Sequence, residues 1–183
     1  CICCTVRGDL IRILSGLMKR ADQLDAIIVE TTGLADPAPV AQTFFVDQDV
    51  ADRTKLDAIV SIADAVHLDQ QLGEHHEAEE QIAFADIVLL NKTDLVKGDN
   101  LEGVHNRIRK INPYAKIIKT AHCETPLDQV LGLDAFSLDR VLEIEPDFLE
   151  SDHDHEHDDD VTSLSFVSET PLDLDKFQEW FGK

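Results

Sequence analysis

The run Ala85-Asp-Ile-Val-Leu-Leu-Asn-Lys-Thr-Asp94 decides how this chain is read. Ala85–Leu90 is a short apolar stretch of the kind that forms a strand buried on both faces, and it passes directly into Asn91. A polar loop at the end of such a strand lies at the carboxyl edge of a parallel sheet, where open α/β sheets bind their ligands. In that loop the Asp94 carboxylate can accept hydrogen bonds from the ring N–H and the exocyclic amine of guanine. Adenine offers no such pair of donors, and a polar group left unpaired by the wrong ligand discriminates strongly. The stem of Lys92 can lie along the base, and Asn91 can tie the loop to its neighbours. A plain polar turn after a strand, favoured by Asn and Asp, is the competing account of the same residues.

Working outward, strands and helices alternate. Leu10, Leu14, Leu17, Met18 and Ala21 recur at helical spacing and predict an amphipathic helix over 6–21. Asp25–Glu30 reads as a buried strand ending in a carboxylate. Pro37 and Pro39 fit the start of a helix through Phe45. Leu56–Ile62, followed by Asp64, reads as a second strand and 77–84 as a helix. Leu101, Val104, Ile108 and Ile111 mark another helix, stopped by Pro113. Ala115–Lys119 is a fourth strand, and 126–131 a short helix. This alternation predicts an α/β fold with a doubly wound, mostly parallel sheet. Glu30-Thr-Thr-Gly33, Asp64 and Asn91–Asp94 then share the carboxyl edge. Thr120-Ala121-His122, after the next strand, falls where a second base-contacting loop belongs.

The 183 residues carry a net charge of −21 and 43% hydrophobic residues. The first value argues against nucleic-acid and anionic-membrane partners, which want clustered Lys and Arg. Ten of the acids lie between Glu143 and Asp160, a stretch without Lys or Arg, so much of the imbalance is local. No apolar run approaches the roughly 20 residues that span a bilayer, and no signal peptide is visible. The organisation predicted is 1–142 as the sheet domain, 143–160 as an acidic, His-rich linker, and 161–183 as the first strand and helix of a smaller α/β domain.

Cys1, Cys3 and Cys4 supply up to three soft ligands at a spacing unsuited to disulfides. Thiolates select Zn²⁺ or Cu(I), and a site with three protein ligands and an open position can release its ion. The alternatives are small apolar packing before a helix and a redox thiol, although Cys-x-Cys-Cys differs from the usual Cys-x-x-Cys arrangement. Cys123 stands apart and reads as an unliganded thiol. His153, His155 and His157 alternate with carboxylates, so several imidazoles can reach one Zn²⁺, Ni²⁺ or Co²⁺ ion from an extended chain; an acidic linker with incidental histidines is the alternative. His67, His75 and His76 are weaker candidates. Glu30 can hold Mg²⁺ directly or through water, and Gly33 lets the backbone approach a γ-phosphate; a strand end with a turn glycine and a helix starting at Asp36-Pro37 is the competing account. A phosphate-cradling Gly-x-x-x-x-Gly-Lys-Ser/Thr run is absent from the sequence, whose Gly-Lys pair is Gly182-Lys183. With Cys1 standing inside a motif, the expectation is that the chain is a piece of a longer one.

Taken together, these residues resemble the CobW-like metallochaperone GTPases, relatives of the urease and hydrogenase accessory GTPases. The pieces that match are Cys1-Ile-Cys-Cys-Thr-Val-Arg-Gly-Asp-Leu10, Glu30-Thr-Thr-Gly-Leu-Ala-Asp-Pro37, Asp64-Ala65, Asn91–Asp94 and the His-rich linker. The resemblance implies a P-loop GTPase domain followed by a smaller α/β domain. It implies GTP and Mg²⁺ as cofactors, Zn²⁺ or Co²⁺ as the metal handled, and a client metalloprotein as partner in the cytoplasm. It assigns Cys1, Cys3 and Cys4 to the transferred metal, Glu30 and Gly33 to the Mg²⁺ and switch region, and Asn91, Lys92 and Asp94 to base recognition. A metal-buffering protein without GTPase activity is the second reading.

Overall fold

Apolar runs at the centre of the chain find one another as strands. The structure, a computed structural model, describes residues 7–33, 35–149 and 173–181, and its contacts divide the chain into two units, Cys1–Ser151 and Asp152–Lys183. In chain order the elements of the first unit are α1 (Arg7–Met18), α2 (Ala38–Val46), the one-turn α3 (Gln48–Ala51), β1 (Val60–Asp64), α4 (Leu68–Glu74), α5 (His76–Ala83), β2 (Ile87–Asn91), α6 (Asp99–Ile111), β3 (Lys116–Lys119) and α7 (Leu138–Ile144). The strands form a parallel sheet in the order β1-β2-β3.

β2 is central, and Ile87 to Leu90 are all buried, as a strand covered on both faces must be. Val88 and Leu90 pack with Ala63 of β1, Leu68 of α4, Ile82 of α5, and Val104 and Ile108 of α6. Those last two are successive members of the helical stripe read from sequence. A second core joins Ala38 and Ala41 of α2 to Phe84, Val141 and Phe148, with Phe45 and Phe136 stacked at 5.3 Å between ring centres. Phe148 is 1% exposed, and its carbonyl accepts from Gln42 Nε2 at 2.6 Å. The packing of the first unit therefore runs past position 143, where the composition turns acidic.

Two buried polar residues lock the sheet's amino end. Asn112 follows α6, and its Nδ2 donates to the carbonyls of Ile82, Ala83 and Ala85 at 2.8–2.9 Å. Its Oδ1 accepts from the backbone N–H groups of Tyr114 and Ala115, so one side chain satisfies the exit of α5 and the approach to β3. Asp86 precedes β2. Its Oδ2 accepts from Ile59 N–H at 2.6 Å, and its Oδ1 takes Arg140 of α7. Burial pushes the Asp86 carboxyl upward, against the opposing pull of Ile59 N–H and the Arg140 guanidinium.

One predicted strand is corrected. Residues 25–30 form no ladder with another strand among the described residues. Ile27 and Val29 pack on Leu10 and Leu14 of α1 with Val50, whereas Ile28 between them is 76% exposed. The run is partly buried on one side only, and among the described residues no neighbouring backbone takes its N–H and C=O groups. Among the described residues β1 likewise has no strand on its outer edge, and Ile62 there is 61% exposed.

The second unit is described over α8 (Leu174–Phe181). Asp173 Oδ1 accepts from the N–H groups of Asp175 and Lys176 at its start, and the rings of Phe177 and Trp180 lie 5.9 Å apart. The expected strand at 161–167 lies outside the described residues. Among the described residues no helix is long and apolar enough to cross a membrane.

Candidate functional site at the carboxyl edge of the sheet

Parallel pairing sets Asp64 of β1 opposite Asn91 of β2, so both strands deliver their last polar residue to one edge. Ala65 N–H donates to the Asn91 carbonyl at 2.9 Å and Thr120 N–H to the Leu90 carbonyl at 2.9 Å, which extends the pairing beyond the strands. Asn91 Oδ1 then reaches sideways. It accepts from Thr120 Oγ1 at 3.2 Å and from Cys123 N–H at 2.9 Å. Thr93 adds two more ties, donating both its N–H (3.2 Å) and its Oγ1 (2.8 Å) to the Thr120 carbonyl. The Asn91–Asp94 loop and the Thr120–Cys123 loop are thus joined side by side. The sequence reading of Asn91 as a tie between loops is what the geometry shows.

The fit of the second loop comes at a conformational cost. His122 and Cys123 hold φ of 53° and 56°, and Lys92 holds 60°, left-handed values that non-glycine residues rarely take. Such geometry clusters where the surroundings over-determine a loop, and here the Asn91 and Thr93 hydrogen bonds do so. Asp94 is exposed and its carboxylate has no hydrogen-bond partner among the described residues, so its oxygens are available to a ligand that brings N–H donors.

Beside this loop lies a charged cluster. Asp64 Oδ2 receives Lys92 Nζ at 2.6 Å and lies 3.1 Å from His67 Nδ1, while Oδ1 accepts from Val66 N–H at 2.8 Å. Burial by itself raises the Asp64 carboxyl. The hydrogen bonds from Lys92, His67 and Val66, with the Lys92 charge, outweigh it and hold the group at about 2, against 3.8 ordinarily.

The switch-like segment is held more lightly. Glu30 is exposed at the end of the unpaired run, and Gly33 follows in a turn. Gln81 of α5 donates through Nε2 to the carbonyls of Gly33 (3.0 Å) and Ala35 (2.9 Å), and Asp36 Oδ1 accepts from Ala38 N–H at the start of α2. Cys1, Cys3 and Cys4, and His153, His155 and His157, lie outside the described residues. Among the described residues no three His, Cys, Asp or Glu side chains gather as a metal site; His76 faces Glu80 at 3.4 Å, and Cys123 is an exposed free thiol.

Residues 1–119 match the CobW/HypB/UreG nucleotide-binding domain. The chain belongs to the CobW/HypB/UreG family. Among curated relatives it is similar to the zinc chaperone YjiA of Escherichia coli, 32% identical over 182 residues that cover 95% of this chain and 55% of that protein. It is similar also to the zinc-regulated GTPase metalloprotein activator 1 of Schizosaccharomyces pombe, 38% identical over 147 residues that cover 79% of this chain and 36% of that protein. The chain therefore spans about a third to a half of the length of these relatives. The crystal structure of Zn(II)-bound YjiA GTPase from E. coli superposes with a TM-score of 0.63 at 33% identity, over 73% of this chain and 42% of that one. The CobW-family fold, an α/β sheet of P-loop GTPase type, is thus the fold of this chain.

Within that fold, sequence reasoning placed Asn91, Lys92 and Asp94 at the edge, together with Asp64. It missed the use of Asp64 as the partner of Lys92, because nothing in the spacing shows which strand neighbours which. It missed Gln81 as well. An exposed-looking glutamine in an amphipathic helix carries no signal until the helix is docked.

Proposed function

We propose that this chain is part of a GTP-dependent metallochaperone that delivers a transition metal, zinc before cobalt, to a client metalloprotein in the cytoplasm. The observation that carries the reading is the joined pair of loops, Asn91–Asp94 and Thr120–Cys123, with the unpaired Asp94 carboxylate between strand end and solvent. This acceptor fits a guanine base, whose paired N–H groups supply the donors that such a carboxylate lacks. Membership of a family with relatives named zinc chaperone and zinc-regulated GTPase supports the same direction.

In this reading Asn91 braces the loop, Lys92 lies along the base and Asp94 selects guanine over adenine. Bound GTP with Mg²⁺ would supply a hydrolysable phosphoanhydride; Glu30 and Gly33 stand in the segment that would sense it, and Gln81 holds that segment by two carbonyls. Cys1, Cys3 and Cys4 bind the cargo ion, and His153, His155 and His157 of the acidic stretch collect it. The nucleotide-binding part, expected from sequence over 1–142, continues in its packing to Phe148, and 161–183 open a second domain. Because the 183 residues hold no phosphate-cradling run, hydrolysis is proposed for a protein of the relatives' length.

Zinc affinity and metal-stimulated GTP hydrolysis, measured on such a protein before and after Cys→Ser at the positions of Cys1, Cys3 and Cys4, test the reading. The expected result is a loss of both. The readout must be affinity and stimulation rather than presence of zinc, because a YjiA variant lacking one glutamate and two adjacent cysteines is still a Zn(II)-bound structure. Retained affinity and retained stimulation sink the proposal. Metal binding without any guanine-nucleotide binding favours a metal-buffering protein instead.

A further inference from the structure

Lysine is a poor shelf for a planar ligand when it is loose. Its four-carbon stem samples many rotamers, and that freedom is lost when a base settles on it. In this chain Lys92 is not loose. It leaves the backbone from a left-handed residue (φ 60°) whose carbonyl accepts from Leu95 N–H at 3.0 Å. Its far end is fixed by Asp64 Oδ2 at 2.6 Å. The fixing group is itself fixed: Val66 N–H holds the other carboxylate oxygen, His67 Nδ1 stands 3.1 Å from the same oxygen, and the β1–β2 register sets the Asp64 backbone across from Asn91.

We propose that Asp64 is a positioning residue for guanine recognition, pinning Lys92 so that its stem is already in place when the base arrives at Asp94. The inference rests on the reading of Asn91–Asp94 as the base loop. Asp64 touches no base; it acts through Lys92 by removing the ordering cost from the binding step. The low proton affinity of the Asp64 carboxyl keeps the pin charged above about pH 4. His67 Nδ1, 3.1 Å away, is a second contact on the same oxygen.

The test titrates guanosine, with adenosine as control, into the 183-residue chain and follows the amides of 91–95 and 120–124 by NMR. A nucleoside isolates the base site from any phosphate contact. Asp64→Asn, which keeps the Val66 contact but drops the charge, is expected to raise the guanosine Kd about 5–10-fold. In a Lys92→Ala background the same substitution is expected to change Kd by less than about 2-fold, since the residue it acts through is gone. Asp64→Glu should recover part of the loss. Equal losses in both backgrounds, or an unchanged Kd for Asp64→Asn, overturn the proposal. Should Asp64→Asn fail to fold, Lys92→Met keeps the stem and drops the pin; an unchanged guanosine Kd in that variant overturns it equally. If the wild-type chain does not prefer guanosine to adenosine, the base-loop reading itself fails, which is a different outcome from a normal preference that is insensitive to Asp64.

Discussion

Ile87–Leu90 and Ala26–Val29 are both four-residue, wholly apolar runs, yet one becomes the central strand and the other joins no strand ladder among the described residues. The first has a strand on each side and all of its residues buried. The second has Ile27 and Val29 against α1, Ile28 at 76% exposure, and no ladder among the described residues. The segments that follow them differ in the same way. Asn91–Asp94, after the paired strand, is braced by four hydrogen bonds to the neighbouring loop. Glu30–Gly33, after the unpaired one, is held chiefly by Gln81. Strand pairing confers rigidity on the loop it leads into, and composition does not.

The contrast is broken most directly by truncating both runs. Leu90→Ala is expected to cost about 3 kcal/mol, since the buried site cannot collapse around the missing atoms. Ile28→Ala should stay within about 0.5 kcal/mol. Urea unfolding of the two variants measures the gap, and a comparable cost at both positions would show that 26–29 is buried in solution. Next in size, Asn91→Ala strips the acceptor from Thr120 Oγ1 and Cys123 N–H and is expected to cost about 1–2 kcal/mol. Amide exchange should quicken at 120–124 before it does anywhere in β2; uniform quickening would mean that Asn91 supports the sheet rather than the loop.

Asp64 provides a pH-dependent sharpening. Its folded value of about 2 lies below the ordinary 3.8, so its contribution is complete above pH 4 and disappears as pH falls towards 2. With Lys92 half exposed, that contribution is discounted to about 1–2 kcal/mol. The stability gap between wild type and Asp64→Asn should therefore be flat from pH 7 to 5 and close below pH 4. A gap that widens on acidification contradicts the ion pair. The smallest effect belongs to Gln81→Leu, which removes hydrogen bonds from the Gly33 and Ala35 carbonyls where water can replace them. Global stability should move by less than about 1 kcal/mol, while amide exchange at 33–36 rises. Unchanged exchange there would show that another contact holds the segment.

How far the site was legible follows the same division. Asn91–Asp94 was readable because a buried strand runs straight into it, and both facts are local. The helix over 99–111 was readable because Leu101, Val104, Ile108 and Ile111 keep one face. Asp25–Glu30 was read as a strand on equally good local grounds, and it failed because a strand also needs a neighbour to take its backbone groups. Asn112 and Asp86 gave no warning of their roles, since each works by meeting backbone from elements distant in sequence.

From residue order alone came the α/β alternation, the position of the Asn91–Asp94 loop, and the family to which Cys1–Cys4, Glu30–Pro37 and Asn91–Asp94 together point. These depend on periodicity and on chemistry carried by neighbouring residues. Only the tertiary structure decided that Asp64 pins Lys92, that Thr120–Cys123 closes on Asn91, that Gln81 rather than a strand partner holds Gly33, and that Phe148 belongs to the first unit. Each is a contact between residues brought together by strand order and helix docking. Strand order and helix docking are set by burial summed over the whole unit, and no local stretch of sequence carries that sum.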